Sequence, residues 1–119
     1  MTQSLYDRIG EDFIRRAITE FYRRAETDGI IGHFFFGKDL PHIIAQQIDF
    51  ASNMLGGPKV YRGKPLRAAH AQLRIGLPHF GRRQMLMAEV LKELALDAEL
   101  AKAWLDLEEQ LKPLIFGRR

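Results

Sequence analysis

Residues 40–58, LPHIIAQQIDFASNMLGGP, carry the reading of the fold. Leu40, Ile43, Ile44, Ile48, Ala51, Met54 and Leu55 recur at three- and four-residue steps, the spacing of one apolar helix stripe. Asp39 stands where an N-cap is needed, and Pro41 is tolerated in a first turn whose N–H groups have no intrahelical partner. Gly56-Gly57-Pro58 ends the pattern, because glycine accepts the turn and proline cannot continue a helix. The helix predicted here spans about 40 to 55. One member of its stripe is polar: Gln47 lies on the face that should look inward.

Working outward, Ser4-Leu5-Tyr6-Asp7 resembles a capping box with an acid in place of the usual Glu or Gln. It opens a short turn that stops near Gly10. From Glu11, the positions Phe13, Ile14, Ala17, Ile18, Phe21, Tyr22 and Ala25 predict a helix that stops at Asp28-Gly29. Residues 30–36 read as a compact apolar corner ending at Gly37. Downstream, 59–64 is loop and contains Tyr61. A short helix over 65–72 presents Leu66, Ala69, His70 and Leu73 on adjoining faces. After Gly76, Pro78 opens another helix with the stripe Phe80, Arg83, Met87, Val90, Leu91 and Leu94. Asp97 caps a last helix with the stripe Leu100, Trp104, Leu107, Leu111 and Leu114, whose final turn Pro113 shortens. No strand alternation is seen. The expectation is an all-α single domain over 1–119. Its very short helices around Ile30 and His70 do not suit a uniform four-helix bundle, but they do suit a box wrapped around a cofactor.

Composition narrows the chemistry. With no cysteine, disulfides, thiolate zinc sites, iron–sulfur clusters and thiol nucleophiles are excluded. His33, His42 and His79 form no HExxH or HxxxH pattern, so a histidine zinc site has little support. The net charge of +3 is only mildly basic. The arginines come as scattered pairs (Arg15 and Arg16, Arg23 and Arg24, Arg82 and Arg83, Arg118 and Arg119). Such pairs read as solvated helix faces rather than a nucleic-acid stripe, and no recognition-helix pattern is present. Neither a signal peptide nor an apolar run of membrane-spanning length is seen. The expected compartment is therefore the cytoplasm, without membrane or nucleic-acid partners.

Tyr22, Gln47 and Arg83 are polar groups on apolar stripes. Burying such a group unpartnered costs about 1–3 kcal/mol, and more for a guanidinium. The plain readings are a core tyrosine whose hydroxyl reaches solvent, a glutamine bonded to nearby backbone, and an arginine on a slightly rotated helix. The sharper reading is that the stripes face something polar. His70 alone is weak, since a lone histidine is more often structural than a ligand.

The chain resembles the truncated haemoglobins, small globins with a two-over-two helical sandwich enclosing haem. The resemblance runs through Tyr6-Asp7-Arg8-Ile9-Gly10, Phe21-Tyr22, Phe34-Phe35, Gln47, Leu55-Gly56-Gly57-Pro58, Tyr61, Gly63, His70 and His79-Phe80. It implies haem b as cofactor, with His70 as the proximal iron ligand and the sixth position open. It also implies Phe35 wedged against the porphyrin, Tyr61 bonding a propionate, and Leu66, Ile75 and Phe80 lining the haem. Ile43 takes the position where larger globins place a distal histidine. Tyr22 and Gln47 form the distal pair that donates hydrogen bonds to a gas ligand.

The implied function is binding of dioxygen, nitric oxide and carbon monoxide, in oxygen transport or nitric oxide detoxification. No flavin or nicotinamide motif is present, so any turnover needs a separate reductase. The alternatives are a sensor or interaction module on the same fold, and a peroxidase-like or nitrite-linked redox protein. Leu55 to Pro58 and the Tyr22–Gln47 pair resemble the first subgroup, whereas 66–70 and Arg74-Ile75-Gly76 resemble the second. Arg83 follows neither. It could meet a propionate, the ligand or solvent, and at the ligand it would favour anions. Ala51 replaces a phenylalanine thought to gate a ligand tunnel in the first subgroup, and a rotated helix would make His42 a sixth ligand.

Overall fold

The structure, a computed structural model, describes residues 3–58 and 76–112. In chain order these form α1 (Leu5–Ile9), α2 (Glu11–Glu26), a 3-10 turn (Gly32–Phe35), α3 (Leu40–Met54), α4 (Leu77–Glu93) and α5 (Ala98–Glu109), with no strand among the described residues. The expected helix at 65–72 and the loop with Tyr61 lie outside them. The caps follow the local chemistry. Ser4 Oγ accepts from the Asp7 N–H at 3.0 Å. Asp39 accepts from the His42 N–H at 3.2 Å. Asp97 accepts from the N–H groups of Glu99 and Leu100 at 3.1 and 3.3 Å. In each case a carboxylate or hydroxyl satisfies an orphan donor of the first turn. At α4 the cap is different: the Gly76 N–H donates to His79 Nδ1 at 2.8 Å. α5 stops at Glu109, four residues before a proline that has no N–H to bond that carbonyl.

Two helix pairs, α2 with α3 and α4 with α5, are joined where α2 packs on α4, and α1 and the 3-10 turn close against α2. The stripes meet in one core. α2 contributes Ile14, Ala17, Ile18, Phe21 and Ala25. The others add Ile48 and Ala51, then Leu86, Met87, Val90 and Leu91, then Leu100 and Trp104. The end of α3 is fixed by α1, since the Tyr6 N–H donates to the Leu55 carbonyl at 2.9 Å. A Cβ on Gly57 would stand 2.6 Å from the Tyr6 ring and 2.9 Å from the Ser52 carbonyl oxygen, so the chain passes there only without a side chain.

The apolar corner is corrected in part. Ile31 and Gly32 are buried, but Ile30 is 50% and Phe36 80% exposed. Seven consecutive residues folded through a 3-10 turn cannot all point one way. The corner is held by Asp28. Its Oδ2 accepts from the N–H groups of Ile30 and Ile31 at 2.9 and 3.1 Å, and its Oδ1 accepts from Arg82 on α4 at 2.6 Å.

Candidate functional site: a polar pair in an interhelical cavity

α2, α3, α4 and α5 converge on a cavity of about 70 Å³. Ile18 and Tyr22 line it from α2, and Gln47, Phe50, Ala51 and Met54 from α3. Phe80 and Arg83 line it from α4, Glu108 from α5, and Leu111 from just beyond. The volume suits a molecule of a few atoms. The stripe positions that looked out of place in the sequence therefore share one wall, because a stripe facing a cavity need not be apolar throughout.

Tyr22 is buried. Its ring meets Phe21 edge-on at 4.9 Å and Phe35 edge-on at 5.7 Å. These contacts fix the plane in which the hydroxyl swings. Gln47 is half-buried, one turn before Ala51, which is buried. Phe80 is buried at the start of α4, with Lys112 Nζ 5.4 Å from its ring centre. Phe35 and Ile43 are half-buried and pack on the core without lining the cavity. His42 is exposed and absent from the cavity wall. His70, Tyr61, Leu66 and Ile75 lie outside the described residues.

Arg83, half-buried on the cavity wall, has a protein partner that the sequence did not suggest. It is held by Glu108, with Nη1 to Oε1 at 2.6 Å and Nη2 to Oε2 at 3.1 Å. Nη1 also donates to Gln84 Oε1 at 2.6 Å, and Cζ lies 4.9 Å over the Phe21 ring. Glu108 is buried and takes a third bond, from Trp104 Nε1 at 2.8 Å. Burial alone pulls the Arg83 guanidinium down. The charge and hydrogen bonds of Glu108, with Tyr22 nearby, outweigh it and leave the group above its ordinary value. The cation is therefore permanent and compensated.

Glu108 was not legible as a site residue from the α5 stripe, which runs through Leu107 and Leu111. Two signals pointed to it: it stands four residues after Trp104 on the most buried line, and Arg83 needed a carboxylate.

The chain matches the bacterial-like globin family over residues 4–116. It is 33% identical over 115 residues to a group 1 truncated haemoglobin of Tetrahymena pyriformis, covering 95% of each chain. It is 30% identical over 116 residues to a group 1 truncated haemoglobin of Nostoc sp. (strain MUN 8820), covering 97% of this chain and 98% of that one. The crystal structure of the Tetrahymena pyriformis truncated haemoglobin in its Fe(III) form superposes with a TM-score of 0.91 at 30% identity, over 98% of this chain and 100% of that one.

The chain belongs to the truncated haemoglobins.

As truncated haemoglobins are haem-based gas-binding globins, the cavity can be tested against that cofactor's needs. Its lining fits. Ile18, Phe50, Ala51, Met54 and Phe80 offer apolar surface, and Tyr22 and Gln47 offer uncharged donors. Among the described residues, the one cation on the wall is paired with the one carboxylate there. Such a lining suits a small neutral ligand better than a charged metabolite. The relatives named here carry the first-group name, in keeping with Tyr22 and Gln47. Glu108 explains how Arg83 is accommodated on an otherwise apolar stripe. Among the described residues no helix is long and apolar enough to cross a membrane, and no cluster of His, Cys, Asp and Glu suits a second metal.

Proposed function

We propose that this truncated haemoglobin binds dioxygen and related diatomic gases at a haem iron, with His70 as the proximal ligand and Tyr22 and Gln47 on the opposite side. The observation that supports this best is the placement of Tyr22 and Gln47. They come from different helices to one small cavity, beside apolar side chains and the paired Arg83 and Glu108. Haem, when bound, would supply the iron that binds the gas ligand.

The chain's own residues do the rest. A neutral imidazole at 70 would hold the metal, and its second N–H would need an acceptor. No acid lies near 70 in sequence, so a backbone carbonyl is the reading adopted, which favours ligand binding over oxygen–oxygen cleavage. Phe80 and the edge-on Phe35 would pack the macrocycle, with Leu66 and Ile75 beside it, Tyr61 at a propionate and Ile43 at the distal entrance. Tyr22 and Gln47 would donate hydrogen bonds to a polar gas ligand.

The physiological role adopted is oxygen binding or nitric oxide removal. The latter draws electrons from a separate reductase, because the chain has no nucleotide-binding motif of its own. The purified protein is expected to be red, with a Soret band that shifts under carbon monoxide. His70→Ala should abolish that band. A colourless protein that takes up no added haem would refute the reading and favour an interaction module on the globin fold.

A further inference from the structure

Glu108 has no role in the reading above, yet it is a buried carboxylate on the wall of the gas cavity. Its two oxygens accept three donors: two from Arg83 and one from Trp104. Arg83, pinned also by Gln84 and lying over Phe21, cannot swing into the cavity without leaving its carboxylate unpaired. The pair therefore places a cation beside Tyr22 and Gln47 while cancelling its charge.

We infer that Glu108 is a specificity-determining, positioning residue: by neutralising Arg83 it keeps the cavity selective for neutral diatomic gases over small anions. The inference rests on the haem-binding reading. A guanidinium alone on this wall would attract any anionic ligand of the iron. A carboxylate alone would repel it. The two together form a local dipole whose far field largely cancels. An uncompensated unit charge several ångströms from a bound anion changes affinity by about ten- to a hundredfold at the effective dielectric of a protein interior. A neutral gas is nearly indifferent to the same change.

The test is fluoride affinity of the ferric holoprotein at pH 7, followed by its visible spectrum, with carbon monoxide affinity of the ferrous protein as the neutral control. Glu108→Gln keeps an acceptor for Trp104 and removes the charge. It should tighten fluoride about tenfold or more while moving carbon monoxide less than about threefold. Arg83→Leu should weaken fluoride, and the double variant Arg83→Leu with Glu108→Leu should return close to the parent protein. Should Glu108→Gln not fold, the single arginine variant and the apolar double variant still carry the comparison, because an ion pair replaced as a unit is often tolerated.

Three results would overturn the inference. One is fluoride affinity that is the same across the variants. Another is fluoride and carbon monoxide shifting together, the mark of a disturbed fold. The third is tightening that persists without Arg83. A parent protein lacking a Soret band would instead sink the haem reading itself, so the two failures are told apart.

Discussion

Tyr22 shows how one hydroxyl can be read at two levels. In the sequence it is an apolar-stripe residue with a polar tip. In the structure the ring is clamped edge-on by Phe21 and Phe35 and lines the cavity with Gln47. A hydrogen bond to a partly charged acceptor contributes about 1–2 kcal/mol, so Tyr22→Phe and Gln47→Leu should each speed dioxygen release by about tenfold. Flash photolysis or stopped-flow release measures this directly. Unchanged rates in both variants would remove the distal pair. Arg83 was equally visible in the sequence as a misplaced charge, but its partner was not. A helix periodicity ranks positions by apolarity, so it gave the buried line of α5 to Leu107 and passed over the carboxylate that Arg83 and Trp104 hold.

Among the elements, α2 and α4 are joined by more than apolar contact. Arg24 bridges Glu20 and Glu93 at 2.7 and 2.6 Å, and Asp28 receives Arg82. Hydrogen bonds from Arg23 and then Arg24 hold the Glu20 carboxyl down to about 2. Hydrogen bonding from Arg82 likewise holds Asp28 below the usual aspartate range. A carboxyl whose folded-state pKa is depressed stabilises the fold above its unfolded-state value, and that contribution is lost as pH falls through the folded value. Asp28→Asn keeps an acceptor for Ile30 and Ile31 but removes the charge. It should cost about 1 kcal/mol at pH 7 and progressively less as acid protonates the parent side chain. Urea unfolding of both proteins at neutral and acid pH checks this, and a penalty independent of pH would contradict the ion-pair account. The caps Ser4, Asp39 and Asp97 were legible because capping is local chemistry. The outward turn of Ile30 and Phe36 was not, because which member of an apolar run faces solvent depends on what the corner packs against.

For the whole molecule, the pairing of α2 with α3 and of α4 with α5 follows from stripes that the sequence displays openly, and the Gly-Gly-Pro stop marks where α3 must end. The reason for that stop is tertiary. Gly57 passes between the Tyr6 ring and the Ser52 carbonyl, so Gly57→Ala should cost about 1–3 kcal/mol by overpacking, seen as a lowered melting temperature. An alanine variant as stable as the parent would show that the α1–α3 contact yields easily.

Trp104 is the chain's only tryptophan, fully buried and tied to the cavity wall through Glu108. That placement gives the protein an optical gauge of its own. Indole emission should be strongly quenched by resonance energy transfer to a tetrapyrrole held in the same small domain and should brighten as the tetrapyrrole departs. Cofactor loss could then be timed in unlabelled protein at high dilution.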